Sequence, residues 1–269
     1  KMVPFETGQC AILIAFPEDG PSFVAAPQAG QIAANSGMNN AGFASACTAI
    51  FAERAWSYPM EGDFAWLPQY AKSVDDALEY LESVPRGGVM GTVTMGDETG
   101  KISVFESTAS EYEIRYPGDC GEPGSFLVQT NHLVAPDLQH WNPPDVTSGG
   151  SWFRYQTLYK YVADAAAAGG VNFEVLKHAM SSDDYYDVAS DTWHYNEPGS
   201  DKILNSMPSS VTQGVFFPAD RIAYYEIGTP SGIGVPAGAT GEYVKIQLAD
   251  NPKQVTDNVA NAAFGYYAT

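Results

Sequence analysis

Short apolar runs separated by turn residues predict a chain dominated by antiparallel strands. Residues 10–16 are apolar throughout and are followed by Pro17, a pattern typical of a buried strand. A polar, glycine-containing turn at 96–100 joins two such runs as a hairpin. The strands predicted along the chain are residues 10–16, 22–26, 43–50, 89–95, 101–107, 111–116, 125–130, 211–217, 221–227 and 243–248.

Helical spacing of apolar residues predicts four helices between these strands. The clearest begins after Ser73, a candidate N-cap with Asp76 three residues on, and ends before Pro85. Hairpins dominate, and the spacing typical of β-α-β units does not occur. This order predicts an α+β class with helices covering antiparallel sheet, in a single domain over residues 1–269. The other helices are predicted at 66–72, 151–168 and 172–180, and a polar loop at 182–209.

The charge of the chain narrows the classes of partner. Its 269 residues carry 32 acidic and 13 basic side chains, a net charge of −19. Such a surface repels phosphates and anionic lipid headgroups, so nucleic acid and membrane surfaces are not expected partners. No apolar run approaches the ~18 residues that a spanning helix needs. The composition favours an exported bacterial protein and is compatible with a homo-oligomer, but no signal segment identifies the compartment.

Cysteine, histidine and acidic residues do not form a metal or cofactor motif. The three cysteines, Cys10, Cys47 and Cys120, lack the C-x-x-C spacing of a zinc site, and their odd number leaves open one disulfide with one free thiol. An acidic cluster lacks the glycine and closing glutamate of a calcium loop, so a solvated loop is the favoured interpretation. We therefore expect neither a metal nor another cofactor. The members of the acidic cluster are Asp183, Asp184, Asp187 and Asp191.

Three sequence blocks carry a resemblance to a known family. They read A-G-Q-I at 29–32 leading to G-M-N-N-A-G-F at 37–43, then V-Q-T-N-H at 128–132, and S-W-F-R-Y-Q at 151–156. In this order they resemble segments of the acyl-coenzyme A:6-aminopenicillanic acid acyltransferase-like family of N-terminal-nucleophile hydrolases. The resemblance spans residues 5–228, and acid ceramidase-like amidases share its Q-T-N step.

The resemblance implies both a fold and a reaction. The fold is a four-layer αββα sandwich of two antiparallel sheets with helices on both outer sides. The reaction is attack on a linear amide of a small molecule by an N-terminal cysteine, whose own α-amino group accepts the thiol proton. Water in an amidase, or an amine in an acyltransferase, then resolves the acyl-enzyme.

The nucleophile of this family has no counterpart within the chain. The resemblance places its cysteine before Lys1, whose side chain cannot replace a thiol, and it places Cys10 in the middle of a core strand. We therefore expect the nucleophile on a segment or companion peptide upstream of Lys1, exposed by processing such as autoproteolysis. The alternative is a catalytically inactive protein of this fold with a binding or assembly role.

Two residues in the matching blocks are candidates for catalysis. The resemblance places Asn131 where a side-chain amide can donate to the oxyanion of the tetrahedral intermediate. Arg154 opens a predicted helix, where its planar fork can orient the site or bind a substrate carboxylate. A strand-end asparagine and an exposed helix arginine are the alternatives for these two positions.

Four further residues are candidates for substrate binding, each with a structural alternative. Cys47 follows the turn at 36–42, where family relatives place pocket side chains, and a small buried hydrophobe is its alternative. Asn39 is predicted to shape that turn in a left-handed conformation. Strand alternation predicts that His132 points away from the site and is structural. Trp152 is the fourth, and a core role is the alternative for it and for the accompanying aromatic residues Trp56, Tyr58, Trp66 and Trp141.

Overall fold

Seven strands that follow one another along the chain form one antiparallel sheet. The computed structural model describes residues 11–27, 35–50, 61–85, 91–195, 202–204, 212–227 and 243–249. Because each strand pairs with the next in sequence, the predicted dominance of hairpins is confirmed. The order is β1 (Leu13–Ala15), β2 (Phe23–Ala25), β3 (Ser36–Asn39), β4 (Phe43–Ala49), β5 (Gly91–Asp97), β6 (Ile102–Ser107) and β7 (Tyr112–Arg115).

The described part of the chain also contains two smaller antiparallel sheets, four α-helices and three short 3₁₀-helices. One sheet is a hairpin of β8 (Tyr185–Asp187) and β9 (Thr192–His194); the other has the order β10 (Thr212–Phe217), β11 (Ile222–Ile227) and β12 (Val244–Gln247). The α-helices are α1 (Glu61–Tyr70), α2 (Val74–Ser83), α3 (Gly150–Ala167) and α4 (Phe173–Ser181). Antiparallel sheets with helices confirm the α+β class. Within these residues no helix has the length and apolar character needed to cross a membrane.

Helices α1 and α2 cover one face of the seven-stranded sheet. Ser73 caps α2 by accepting a hydrogen bond from the Asp76 amide at 3.1 Å, as its sequence predicts. The apolar stripe of α2, which includes Leu78, packs against alternate residues of the central strands such as Val93 and Phe105. Since side chains alternate along a strand, the residues between these are turned to the opposite face of the sheet.

The opposite face of the large sheet packs against the three-stranded sheet. Val24 and Met38, on β2 and β3, share a buried cluster with Tyr225 on β11. Ala44 belongs to this cluster, whereas its neighbour Phe43 belongs to the cluster on the helix side. This division follows the two-residue period of a strand. Strands β2 and β3 and the start of β4 are thus largely buried, whereas the edge strand β1 is more exposed.

Helix α4 lies on the three-stranded sheet. Tyr225 faces the large sheet, so its neighbour Tyr224 points the other way and stacks on Phe173 of α4, with ring centroids 4.2 Å apart. Gln213 of β10 also donates to the Met180 carbonyl oxygen of α4 at 3.0 Å. A stacked ring and a side-chain hydrogen bond therefore fix α4 against this sheet.

Several sequence predictions of local structure are wrong. Residues 125–130, predicted as a strand, contain no strand, and side chains rather than a neighbouring strand bond their backbone. The loop predicted at 182–209 contains the β8–β9 hairpin, and the turn predicted at 36–42 begins with β3. Helix α1 begins at Glu61 rather than at residue 66, because tertiary packing extends it beyond its apolar repeat. Lys1, Cys10, Trp56 and Tyr58 lie outside the described residues.

Candidate active site

The candidate oxyanion donor, Asn131, is held by contacts at both ends of its side chain. It is half-buried in the segment between β7 and α3. Its Nδ2 donates to the Ala49 carbonyl oxygen, at the end of β4, at 2.9 Å. Its Oδ1 accepts a hydrogen bond from Nη2 of Arg154, near the start of α3, at 2.8 Å. The structure thus brings the two candidate catalytic residues into direct contact.

The Arg154 contact settles the orientation of the Asn131 amide. A guanidinium only donates, so the atom that faces it is the oxygen and the two N–H groups point the other way. One of these N–H groups is bonded to the Ala49 carbonyl oxygen. The positive charge of Arg154 polarises the amide and strengthens its N–H groups as donors. A polarised N–H of fixed direction can stabilise the oxyanion that forms when a carbonyl is attacked.

A buried guanidinium lies behind the segment that carries Asn131. The Arg115 side chain is 2% exposed, and the side chains of its two carboxylate partners are 0% exposed. Its Nε donates to Glu106 at 2.6 Å and its Nη1 donates to Glu122 at 2.6 Å. Burial raises the pKa of Glu106, although the Arg115 charge and two backbone N–H groups oppose that rise. Charge-assisted bonds of this kind, away from water, hold the guanidinium in one orientation.

His132 is a buried and neutral ring. It is 3% exposed, and its Nδ1 lies 2.8 Å from Ser151 Oγ and 3.2 Å from Thr130 Oγ1. Burial lowers the pKa of His132 to about 4, and the charges of Arg115 and Arg154 act in the same direction. The ring is therefore uncharged at pH 7. Within the part of the chain that the structure describes, no group forms a hydrogen bond with its Nε2.

The short contact between Ser151 and His132 does not make a nucleophile–base pair. A ring whose pKa is about 4 is a weak acceptor for a hydroxyl proton at neutral pH. A working base is also oriented through its second nitrogen, and no described residue bonds to that nitrogen. Asn131 and His132 contact different groups, but no strand includes them, so the strand alternation used to predict opposite faces does not apply here. We interpret His132 as a structural residue.

Asn39 is fully buried and joins the β3–β4 turn to the end of α1. Its Nδ2 donates to the carbonyl oxygens of Pro68 and Ala71 at 3.0 and 2.6 Å, and its Oδ1 accepts from the Phe43 amide at 3.1 Å. Both N–H groups of this amide are thus bonded inside the protein. The left-handed conformation predicted at Asn39 is wrong. The positive φ of this turn, 87°, belongs to Gly42, where a Cβ would meet a neighbouring side chain at 2.8 Å.

Neither of the described cysteines is ionised as a nucleophile. Cys47 packs on the helix side of β4 with the cluster that includes Phe43 and Val93. Burial, together with the Asp63 carboxylate, raises the pKa of the Cys47 thiol. Cys120 lies in the loop after β7, and burial raises its pKa as well. Both are free thiols, and the thiolate, which is the reactive form, is disfavoured at both positions.

The aromatic candidates divide between the site and the rest of the fold. Trp152, in the first turn of α3, approaches His132 with ring centroids 5.5 Å apart. Trp66 stacks on Tyr80 at 3.8 Å, between α1 and α2. Trp141 donates from Nε1 to an exposed carboxylate at 3.0 Å. Of these three residues, Trp152 is the one that lies beside the site.

An open pocket lies at the other end of the large sheet. Its volume is about 600 Å³, and residues of the β1–β2 turn line it together with Asn40 and Lys72. Asn40 precedes β4, whereas Asn131 contacts Ala49 at the end of that strand. The pocket therefore lies away from the candidate oxyanion donor Asn131. Across the residues described, no group of three or more His, Cys, Asp or Glu side chains could hold a metal ion.

Sequence motifs do not reveal the residues that hold the Asn131 segment in place. Arg115 and Glu122 gave no motif, and Gln129 was part of a matching block without a role. The sequence offers two signals for Arg115: the chain has only five arginines, and Arg115 falls within a predicted strand. An arginine that alternates with apolar residues in a strand can face a buried acid, but the sequence does not say which one.

Comparisons with known proteins give two similar solved structures and one matching family. The chain is similar to a solved variant of conjugated bile acid hydrolase from Clostridium perfringens, at 13% identity and a TM-score of 0.44, over 86% of this chain and 83% of that one. It is similar to penicillin V acylase from Agrobacterium tumefaciens at 16% identity and a TM-score of 0.48, over 91% and 76%. No curated protein matches the sequence. The family model of acyl-coenzyme A:6-aminopenicillanic acid acyl-transferase matches residues 10–230, and the chain therefore belongs to that family.

Proposed function

We propose that this chain is the larger part of a cysteine amidase or N-acyltransferase that acts on a linear amide of a small molecule. The observation that carries the proposal is the 2.8 Å contact between Arg154 and Asn131. It joins two motifs of an acyl-transfer family, and it gives a polarised amide donor a fixed direction. Attack on a carbonyl requires such a donor where negative charge develops on oxygen.

The nucleophile in this proposal is a cysteine on a segment or companion peptide upstream of Lys1. The raised pKa values of Cys47 and Cys120 support this assignment, because both side chains are held as thiols. A cysteine at a chain start carries its own base, since an α-amino group with a pKa near ~8 accepts a proton at neutral pH. Processing that creates this chain start also creates the base.

The reaction would proceed in two balanced halves. The thiol proton passes to the α-amino group while sulfur bonds to the carbonyl carbon, and the charge that moves to oxygen is met by the Asn131 N–H. The C–N bond then breaks, and the amine leaves with the proton from the α-ammonium group. Water or a second amine then attacks the thioester carbonyl and gives a proton to the α-amino group; the C–S bond breaks, the acyl group leaves as the acid or the new amide, and the proton returns to the sulfur. Arg154 acts throughout by holding Asn131.

The contacts of the fold support a four-layer αββα arrangement. Helices α1 and α2 cover one face of the large sheet, and the three-stranded sheet covers the other. Helix α4 lies on the far side of that second sheet through Phe173 and Tyr224. We propose that these pairwise contacts represent the sandwich that the family resemblance implies.

Two measurements test the proposed function. Intact mass spectrometry of the protein from its natural source should reveal a companion peptide that begins with cysteine. Chromogenic p-nitroanilides with a panel of acyl groups should be hydrolysed, and iodoacetamide should abolish turnover while labelling that cysteine rather than Cys47 or Cys120. Absence of both the peptide and turnover would contradict the enzyme and favour a catalytically inactive protein with a binding or assembly role.

A further inference from the structure

The side-chain amide of Gln129 bonds to the backbone on both sides of Asn131. Gln129 donates from Nε2 to the Thr130 carbonyl oxygen at 2.9 Å and to the His132 carbonyl oxygen at 2.7 Å. These two carbonyl groups belong to the residues directly before and after Asn131. The direction of the Asn131 side chain depends on the backbone between them. A single group therefore controls the part of the backbone that aims the candidate oxyanion donor.

Arg115 determines which way Gln129 faces. Its Nη2 donates to Gln129 Oε1 at 2.5 Å and to the Val128 carbonyl oxygen at 3.1 Å. Because a guanidinium has no acceptor, only the oxygen of the Gln129 amide can face it, and the NH₂ group must face the backbone carbonyl oxygens. Glu106 and Glu122 in turn hold Arg115 in place. The buried ion cluster thus fixes the amide orientation of a residue that it touches directly.

Glu106 bonds to the same segment on the C-terminal side of Asn131. Its Oε1 accepts from Arg115, while its Oε2 accepts from the backbone N–H groups of Val134 and Ala135 at 2.8 and 3.0 Å. The segment around Asn131 is therefore anchored on both sides by one buried cluster. Rigid support of this kind is what a preorganised donor needs, since it must be in place before charge develops.

We infer that Gln129 is a positioning residue for the reaction: held by Arg115, it fixes the Asn131 amide at the place where the oxyanion forms. The inference rests on the proposed function. Gln129 acts on the substrate through Asn131 and does not touch the reacting atoms itself. Misplacement of a catalytic group by about 1 Å generally costs about 10²-fold in rate, so the effect of Gln129 appears in kcat more than in KM.

A double-mutant cycle on the complete, processed protein tests this inference. With a hydrolysed p-nitroanilide as probe, Gln129→Met should lower kcat by about ten- to a hundredfold while KM changes little. In an Asn131→Ala background the same substitution should leave kcat nearly unchanged, because the donor that it positions is gone. If Gln129→Met lowers kcat in the Asn131→Ala background by the same factor as in the wild-type background, the inference is overturned. An unchanged kcat in the Gln129→Met single variant would also overturn it.

Gln139 supplies the matched control. It also donates from Nε2 to a carbonyl oxygen of this segment, that of Val134, at 2.8 Å, but it is exposed and bonds to neither residue next to Asn131. Gln139→Met should therefore leave kcat unchanged. A loss equal to that of Gln129→Met would show that any weakening of the segment is sufficient, and the specific positioning role would be overturned.

A second measurement stands apart from activity, so that failure of the proposed function can be distinguished from failure of this inference. The side-chain amide resonances of Asn131 can be followed by ¹⁵N–¹H NMR in a protein without turnover. Gln129→Met should shift or broaden the Asn131 resonances, whereas Gln139→Met should not. Unchanged Asn131 resonances in Gln129→Met would overturn the positioning role, whether or not the wild-type protein hydrolyses any amide.

Discussion

Replacing Arg115 with methionine would leave two carboxylates buried without a countercharge. Arg115 lies 2.6 Å from both Glu106 and Glu122, whose side chains are 0% exposed. Methionine retains most of the apolar length of the arginine stem but has no N–H donor. Removing one partner of a buried ion pair generally costs about 3–5 kcal/mol, because the remaining charge stays out of water. A domain has about 5–15 kcal/mol of stability in total, so we expect Arg115→Met to lose much of it.

Lys160→Met is the matched control for this experiment. Lys160 and Asp164 form an ion pair of the same length, 2.6 Å, but their side chains are 34% and 61% exposed. Exposed pairs at this helical spacing contribute about 0.3–0.5 kcal/mol. Urea unfolding followed by tryptophan fluorescence should therefore separate the two variants clearly. The N–O distance is the same in both ion pairs, so the difference in unfolding free energy between the two variants reflects burial together with the second carboxylate and the two further hydrogen bonds of Arg115.

The cost of Arg115→Met should also fall as the pH falls. Burial already raises the pKa of Glu106 in the native protein, and the variant lacks the guanidinium that opposes this rise. A carboxyl group with a higher pKa in the folded state binds its proton more tightly there. Its destabilising effect is therefore absent below the unfolded pKa and grows as the pH rises through the folded value. A loss no larger than that of Lys160→Met, or one that stays constant between pH 7 and pH 5, would refute the reasoning.

Three further predictions concern the site. Asn131→Ala should lower kcat by about 10²–10³-fold in the p-nitroanilide assay. The control Asn172→Ala, which removes the α4 cap, should lower stability by about 1 kcal/mol and leave kcat unchanged. Cys47→Ala should leave turnover and its inhibition by iodoacetamide unchanged; lost turnover would make Cys47 the nucleophile. The folded pKa of His132 is about 4, so its stabilising effect is present above the unfolded value and is lost as the pH falls towards 4. That effect amounts to about 3 kcal/mol, and His132→Phe should reduce the acid sensitivity of the urea midpoint.

The elements that the sequence predicts correctly are those determined by local signals. Helix α2 has its Ser73 cap and an apolar stripe at helical spacing, so neither feature depends on distant residues. The β5–β6 hairpin likewise follows from two apolar runs and the turn between them. Where tertiary contacts decide, the prediction fails. The β8–β9 hairpin lies in a polar segment whose strands are stabilised by aromatic contacts with other elements, such as Phe153 with Tyr185.

At the level of sequence, only the order of the family motifs associates Asn131 with Arg154. The two residues are 23 positions apart and lie in different elements, so no spacing rule connects them. Ala49, the third member of the contact, carries no chemical signal because it takes part through its backbone. Asn39 gives a strong signal for a turn, and its Oδ1 does accept from Phe43 across that turn, but no local pattern shows that its Nδ2 bonds to carbonyl oxygens at the end of α1. Composition and local pattern do not distinguish these outcomes.

The lack of a strand at residues 125–130 explains why a charged cluster is buried beside them. A strand at that position would have bonded its backbone to a neighbour, but here Arg115 bonds to the Val128 carbonyl oxygen and Glu106 bonds to the N–H groups of Val134 and Ala135. In other proteins, replacing a buried ion cluster entirely by apolar side chains is often neutral or stabilising. That result is not expected here, because an apolar replacement would leave these buried backbone groups without partners, each at a cost of about 1–3 kcal/mol. The buried charges therefore act as hydrogen-bond partners for the backbone of the segment that presents Asn131. This role explains their presence better than the strength of the ion pairs does.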